Sequence, residues 1–143
     1  VIPLQVREIM TTRIIGVQSA ATVREAARLM EENNIGSVPV LEGGCLSGML
    51  TDRDIVLRCV AQGRDADSLR VSDVCSHGAV SVRPGDSVAQ AVNVMAEEQV
   101  RRLPVVDGGR LVGMLSFADV ARGGAGMELS GPIAEAITDI SMP

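Results

Sequence analysis

Two stretches of this chain place a carboxylate three residues after a hydroxyl. Thr51 precedes Asp54 in Gly48-Met49-Leu50-Thr51-Asp52-Arg53-Asp54, and Ser116 precedes Asp119 in Gly113-Met114-Leu115-Ser116-Phe117-Ala118-Asp119. In both, an apolar run ends at the hydroxyl and a helix is expected to begin there. Two readings fit. A hydroxyl at the N-cap with a carboxylate one turn inside satisfies helix N–H groups and suits the positive helix end. The same junction offers N–H groups and a hydroxyl to an anion, and the carboxylate can accept two hydrogen bonds from a ribose diol. The local pattern leaves both open.

Other chemistry has little support. The only histidine, His77, lies in a polar stretch without a Ser or Cys partner placed by sequence. There is no phosphate loop, dinucleotide fingerprint or metal-ligand spacing, so no catalytic residue and no metal site is expected. Cys45, Cys59 and Cys75 are odd in number and widely spaced, which reads as reduced thiols. A thiol redox sensor is the weaker alternative.

Composition narrows the partners. One Phe and no Trp or Tyr leave almost no stacking surface for nucleic-acid bases, and a net charge of −5 disfavours a phosphate backbone. No apolar run reaches transmembrane length and no signal pattern is seen at Val1-Ile2-Pro3-Leu4, so the expectation is a cytoplasmic protein without membrane or nucleic-acid partners.

The elements that must carry the two junctions repeat as well. A shift of 65 residues aligns Val6–Ile55 with Val71–Val120 without a gap, and fifteen of the fifty pairs are identical. Each copy opens with an amphipathic turn, at Val6–Met10 or Val71–Cys75, followed by a short strand near Ile14–Val17 or Ala79–Val82. Thr22-Val23-Arg24-Glu25 and Ser87-Val88-Ala89-Gln90 are capping boxes. Val23, Ala26, Ala27 and Met30, and likewise Val88, Ala91, Val92 and Met95, form apolar helical stripes. A strand with a proline follows, at Val38-Pro39-Val40-Leu41 or Leu103-Pro104-Val105-Val106. A Gly-Gly hairpin and a second strand then lead to the hydroxyl. The second helix should run to about Gln62 in the first copy and stop at Gly123-Gly124 in the second. The tail adds one helical pattern, Ile133, Ala136, Ile137 and Ile140 behind Pro132.

The fold class is therefore α/β in the α+β sense: two β-α-β-β-α repeats packed as a pseudo-two-fold pair. The expected divisions are 1–65, 66–124 and a tail at 125–143.

Duplicated β-α-β-β-α units, apolar-x-Pro-Val strands, Gly-Gly turns and Gly-Met-Leu-Thr/Ser-x-x-Asp junctions together resemble a tandem CBS-domain pair, or Bateman module, over roughly Val6–Arg122. The Thr-Asp-Arg-Asp and Val-Arg-Arg-Leu-Pro-Val-Val runs resemble stand-alone bacterial members. The resemblance implies a non-catalytic regulatory module. It would bind AMP, ADP or ATP, or NAD or S-adenosylmethionine, in clefts between the repeats and signal to a regulated partner chain, with a homodimer as its assembly. No cofactor is required. It implies that Asp54 and Asp119 hold ribose hydroxyls while Thr51 and Ser116 assist at ribose or phosphate. Adenine would lie against Ile15, Val38 and Pro39, or against Val80, Leu103 and Pro104. Phosphates would meet Arg13, Arg53, His77, Arg101 or Arg102. The two sites should differ, since Gly78 and Ala118 stand where the first copy has Arg13 and Arg53. A structural or interaction module with empty sites is the alternative.

Overall fold

The computed structural model describes residues 2–123. Its elements are α1 (Val6–Ile9), β1 (Val17–Gln18), α2 (Val23–Asn33), β2 (Ser37–Glu42), β3 (Cys45–Thr51) and α3 (Asp52–Ile55). After α3 the helix continues in π geometry over Val56–Val60. There follow α4 (Val71–Val74), β4 (Ser76–His77), α5 (Val88–Glu98), β5 (Arg102–Asp107), β6 (Arg110–Ser116) and α6 (Phe117–Gly123). The helical pattern at Ile133–Ile140 lies outside the described residues.

The repeat in sequence is a repeat in register. Ser37 faces Thr51 and Val38 faces Leu50 across β2–β3; Arg102 faces Ser116 and Leu103 faces Leu115 across β5–β6. Both antiparallel pairs shift register at the equivalent step, Val40/Leu41 and Val105/Val106. The hairpins close through two glycines each, with φ of 61° and 81° at Gly43 and Gly44 and of 58° and 84° at Gly108 and Gly109. Two successive positive φ values are what a two-residue hairpin needs to match strand twist, and glycine adopts them without a steric penalty.

The long helices begin as their sequences dictate. Thr22 accepts from the Glu25 N–H while Glu25 accepts from the Thr22 N–H, and Ser87 and Gln90 repeat the arrangement. Of the expected stripes, Val23, Ala26 and Met30 are buried in α2, with Ala27 half-buried; Val88, Ala91, Val92 and Met95 are all buried in α5.

The first strand of each copy is shorter than its apolar run. β1 is Val17–Gln18, paired in parallel with Val40 and Leu41, and the second copy keeps only the bridge from Val82 to Val105. Proline accounts for this. Pro39 and Pro104 precede the paired residues and have no N–H with which to extend the pairing toward the chain start. The second helix of the first copy ends at Val60, two residues short of the expectation, and its last turn is π-helical.

The chain divides into two compact units that do not follow the repeat. One is residues 15–79; the other joins 2–14 to 80–123. Each unit is thus completed by the opening segment of the other copy. In residues 15–79, Val71 N–H donates to the Ala21 carbonyl at 2.8 Å and Ser72 N–H to the Ser19 carbonyl at 3.0 Å. In the other unit, Val6 N–H donates to the Asp86 carbonyl at 2.8 Å and Arg7 N–H to the Pro84 carbonyl at 2.9 Å. Each unit has its own aliphatic core. Val38, Val40, Leu50, Val71 and Val74 close the first; Val6, Val92, Met95, Leu103, Val105 and Leu115 close the second.

The opening segments also reach the central strands. β4 pairs with β3 at Ser76↔Met49 and Gly48↔His77, and Thr11 bridges Met114 at the equivalent place. Gly48 and Gly113 sit under these crossings. A Cβ at Gly48 would collide with the Ser76 carbonyl oxygen, and one at Gly113 would stand 2.8 Å from Met10 Sδ and 3.0 Å from the Thr11 carbonyl oxygen. The Gly of each Gly-Met-Leu run therefore admits a neighbouring backbone.

Candidate functional site at the strand-to-helix junctions

At the first junction β3 ends at Thr51 and α3 starts at Asp52. Thr51 Oγ1 accepts from the Asp54 N–H at 3.0 Å, and Asp54 Oδ2 accepts from the Thr51 N–H at 3.0 Å. Asp52 N–H donates to the Gly36 carbonyl at 2.9 Å, and Arg53 N–H to the Asp52 carboxylate at 2.8 Å. The first turn of this helix is thus internally satisfied, with the Arg53 and Asp54 N–H groups held by side chains, those of Asp52 and Thr51. Asp54 is half-buried, and among the described residues its Oδ1 has no hydrogen-bond partner. One carboxylate oxygen holds the cap while the other stays open among the described residues.

The second junction has the same cap and a different surrounding. Ser116 Oγ accepts from the Asp119 N–H at 3.0 Å and Asp119 Oδ2 accepts from the Ser116 N–H at 2.8 Å. Here the carboxylate is 6% exposed. Arg122 Nη2 donates to its Oδ1 at 2.7 Å, and the Thr11 hydroxyl lies 3.4 Å from each oxygen. At the equivalent positions around the first junction, the unit of residues 15–79 has Leu57 and Ser76. Thr11 and Arg122 escaped the sequence reading. The i, i+3 spacing of Asp119 and Arg122 was the available signal for one of them; nothing local marks Thr11, which arrives from 108 residues away.

The other expected ligand residues divide between the units. Thr51, Asp54, Ile15, Val38, Pro39, Arg53 and His77 belong to residues 15–79. Ser116, Asp119, Val80, Leu103, Pro104, Arg101, Arg102 and also Arg13 belong to the other unit. The exchange of opening segments thus puts Arg13 with Asp119 and His77 with Asp54. Val38 and Leu103 are 0% and 1% exposed in their own cores, so they present backbone rather than side chain to any ligand. Pro39 and Pro104 are buried, Ile15 is half-buried and Val80 is exposed. Arg13, Arg53, Arg101 and Arg102 are exposed, and among the described residues none forms an ion pair. Arg101 contributes through its backbone, its carbonyl accepting from the Phe117 N–H at 2.7 Å.

His77 has a separate setting. Its Nε2 is 3.2 Å from the Ser72 carbonyl oxygen and 3.8 Å from Cys75 Sγ. It lines an open groove of about 640 Å³ with Ser19, Glu42, Ser47, Arg70 and Ser72. Among the described residues no group of three or more His, Cys, Asp or Glu side chains could hold a metal ion.

All three cysteines are free thiols, Cys45 exposed and Cys59 and Cys75 buried. Burial, followed by the negative charge of Asp54, pushes the Cys75 thiol above its ordinary range. It therefore stays protonated, and unreactive, at neutral pH. Iodoacetamide on the native protein at pH 7.5 is expected to modify Cys45 alone within minutes, with Cys59 and Cys75 following only on unfolding. Mass spectrometry reads this directly, and equal labelling of Cys75 would contradict it.

A duplicated α+β unit with a capped hydroxyl-x-x-carboxylate junction after each β-hairpin defines a tandem-repeat module. The CBS domain family matches it twice, over residues 6–60 and 71–126, and the chain belongs to that family. It is 46% identical over 136 residues to the CBS domain-containing protein YhcV of Bacillus subtilis, covering 95% of this chain and 94% of that protein. A crystal structure of Hypoxic Response Protein I with two coordinated zinc ions is similar at TM-score 0.76 and 38% identity, over 82% of this chain and 97% of that one. A crystal structure of CBSX2 in complex with AMP is similar at TM-score 0.76 and 26% identity, over 87% of this chain and 98% of that one. No helix among the described residues is long and apolar enough to cross a membrane.

Proposed function

We propose that this protein is a non-catalytic regulatory module of the cytoplasm that binds an adenosine-containing ligand, with AMP the first candidate, and transmits its occupancy to a partner chain. The observation that carries the reading is Asp54: a half-buried carboxylate fixed by the Thr51 cap, with Oδ1 left unpaired among the described residues. A ribose diol donates two hydrogen bonds, and a preorganised carboxylate acceptor suits it. Exposed Arg53 stands beside it for a phosphate. The AMP complex named for a similar CBS structure supports the ligand class.

Isothermal titration calorimetry with AMP, ADP, ATP, NAD and S-adenosylmethionine tests the proposal. Saturable binding of at least one below millimolar concentration is expected. Absence of binding by all five would leave the alternative, an interaction module with empty sites. A homodimer is part of the reading. It is supported by Val56, Leu57 and Val60, which leave 54%, 47% and 67% of their surface exposed on one helix. A monomer in sedimentation velocity would remove that element.

A further inference from the structure

The two junctions carry the same cap, yet their carboxylates are in different states. Asp54 receives one hydrogen bond, from the Thr51 N–H, and is half-buried. Asp119 receives the Ser116 N–H at 2.8 Å and Arg122 Nη2 at 2.7 Å, with the Thr11 hydroxyl 3.4 Å from both oxygens, and it is buried. A carboxylate has about four lone-pair positions. The cap occupies one at each junction, and a ribose diol would need two more. Asp54 has them. At Asp119 the guanidinium and the Thr11 hydroxyl take two of the remaining three and leave one, too few for a diol.

We infer that Arg122 is an internal competitor for the ligand at the second junction, so that the chain binds one adenosine-type ligand through Asp54 and holds its Asp119 site closed. The inference rests on the nucleotide reading above and adds which site works and what shuts the other. The guanidinium is suited to the task. It is a planar multiple donor whose fork matches the geometry of a carboxylate. Its side chain is 72% exposed, whereas the Asp119 side chain is 6% exposed. The anchored partner is thus the carboxylate, and the movable one is the arginine. Swinging Arg122 into solvent costs its charge-assisted bond, which solvent partly replaces. Ligand binding at Asp119 must include that cost, whereas binding at Asp54 need not. Repeat comparison shows that the chain itself supplies the alternative: the position of Arg122 in the first copy is Leu57.

The test is calorimetric titration of the full protein with AMP. Wild type is expected to bind one AMP per chain, and Asp54→Asn, which keeps an acceptor for the Thr51 N–H, to weaken that binding roughly ten- to hundredfold. Arg122→Leu should open the second site, with a gain in affinity there of about tenfold, the size of a charge-assisted hydrogen bond discounted for the exposure of the arginine. Stoichiometry should rise to two, and Arg122→Leu/Asp54→Asn should bind one AMP at the Asp119 site. Arg122→Gln, which removes the charge and shortens the side chain while keeping it polar, should behave as Arg122→Leu, so a packing defect in one variant does not decide the outcome. Two equivalent AMP per wild-type chain would overturn the inference. So would loss of affinity in both Arg122 variants, since that would make the arginine a ligand contact. No AMP binding by wild type or any variant would overturn the nucleotide reading and the inference together, a result distinct from either of those.

Discussion

Asp54→Ala is expected to weaken AMP binding roughly ten- to hundredfold, the loss that follows removal of a charged hydrogen-bonding partner. The substitution deletes both Oδ1, which has no partner among the described residues, and the Oδ2 that holds the Thr51 N–H. The second loss affects the fold, at about 1 kcal/mol for a cap interaction. The two effects separate by comparison with Asp54→Asn. Asn retains an acceptor for the Thr51 N–H but lacks the charge and the second acceptor oxygen. Asp54→Asn should therefore match wild type in urea denaturation while losing most of the AMP affinity. If both variants bind AMP as wild type does, Asp54 is a helix cap and nothing more.

Gly48→Val is expected to cost the largest stability of any single change considered, about 3 kcal/mol or more, as overpacking against backbone does. The Cβ alone would overlap the Ser76 carbonyl oxygen and sit 3.5 Å from Cys75 Sγ. The oxygen belongs to main chain held in register by β4, so no side-chain rotation relieves the contact. Either β4 detaches from β3 or the central strand bends. Gly113→Val should be milder, because its nearest obstacle is the flexible Met10 side chain and the Thr11 carbonyl is 3.0 Å away. The ordering is the sharper test: urea midpoints should fall as wild type, Gly113→Val, Gly48→Val. Equal midpoints for the two variants would mean that the crossing strand yields easily at both places.

Much of this was legible because the chain states it twice. A capping box at Thr22 and another at Ser87, a Gly-Gly turn after Glu42 and another after Asp107, are each moderate signals; their recurrence at one offset makes a shared architecture the economical reading. The helices, hairpins and hydroxyl-to-carboxylate junctions follow from local chemistry, and the structure has them. The exchange of opening segments was not legible. Val6 and Val71 are the same residue in similar amphipathic turns, so either segment suits either core, and hydrophobic pattern cannot choose between near-equal partners. The strand limits were missed for a different reason. Apolar runs at Ile14–Val17 and Ala79–Val82 fit strands, but pairing requires a donor on the facing residue, and Pro39 and Pro104 lack one. At the candidate site, spacing identified Thr51, Asp54, Ser116 and Asp119, yet the state of each carboxylate depends on Thr11 and Arg122, whose approach is a matter of tertiary placement and rotamer.

The exchanged segments bear on the order in which the chain assembles. The unit of residues 15–79 is continuous, and its contacts close within one stretch of backbone. The other unit must bring Val6 to Asp86 and Thr11 to Met114 across everything in between. While that intervening stretch is unfolded, closing a loop of its length costs about 4 kcal/mol in chain entropy, and contacts so distant in sequence form slowly. The continuous unit should therefore gain its protection first, with the discontinuous one condensing around residues 2–14 afterwards. On a ribosome the delay is longer still, since residues 2–14 must wait for the β5–β6 hairpin to emerge.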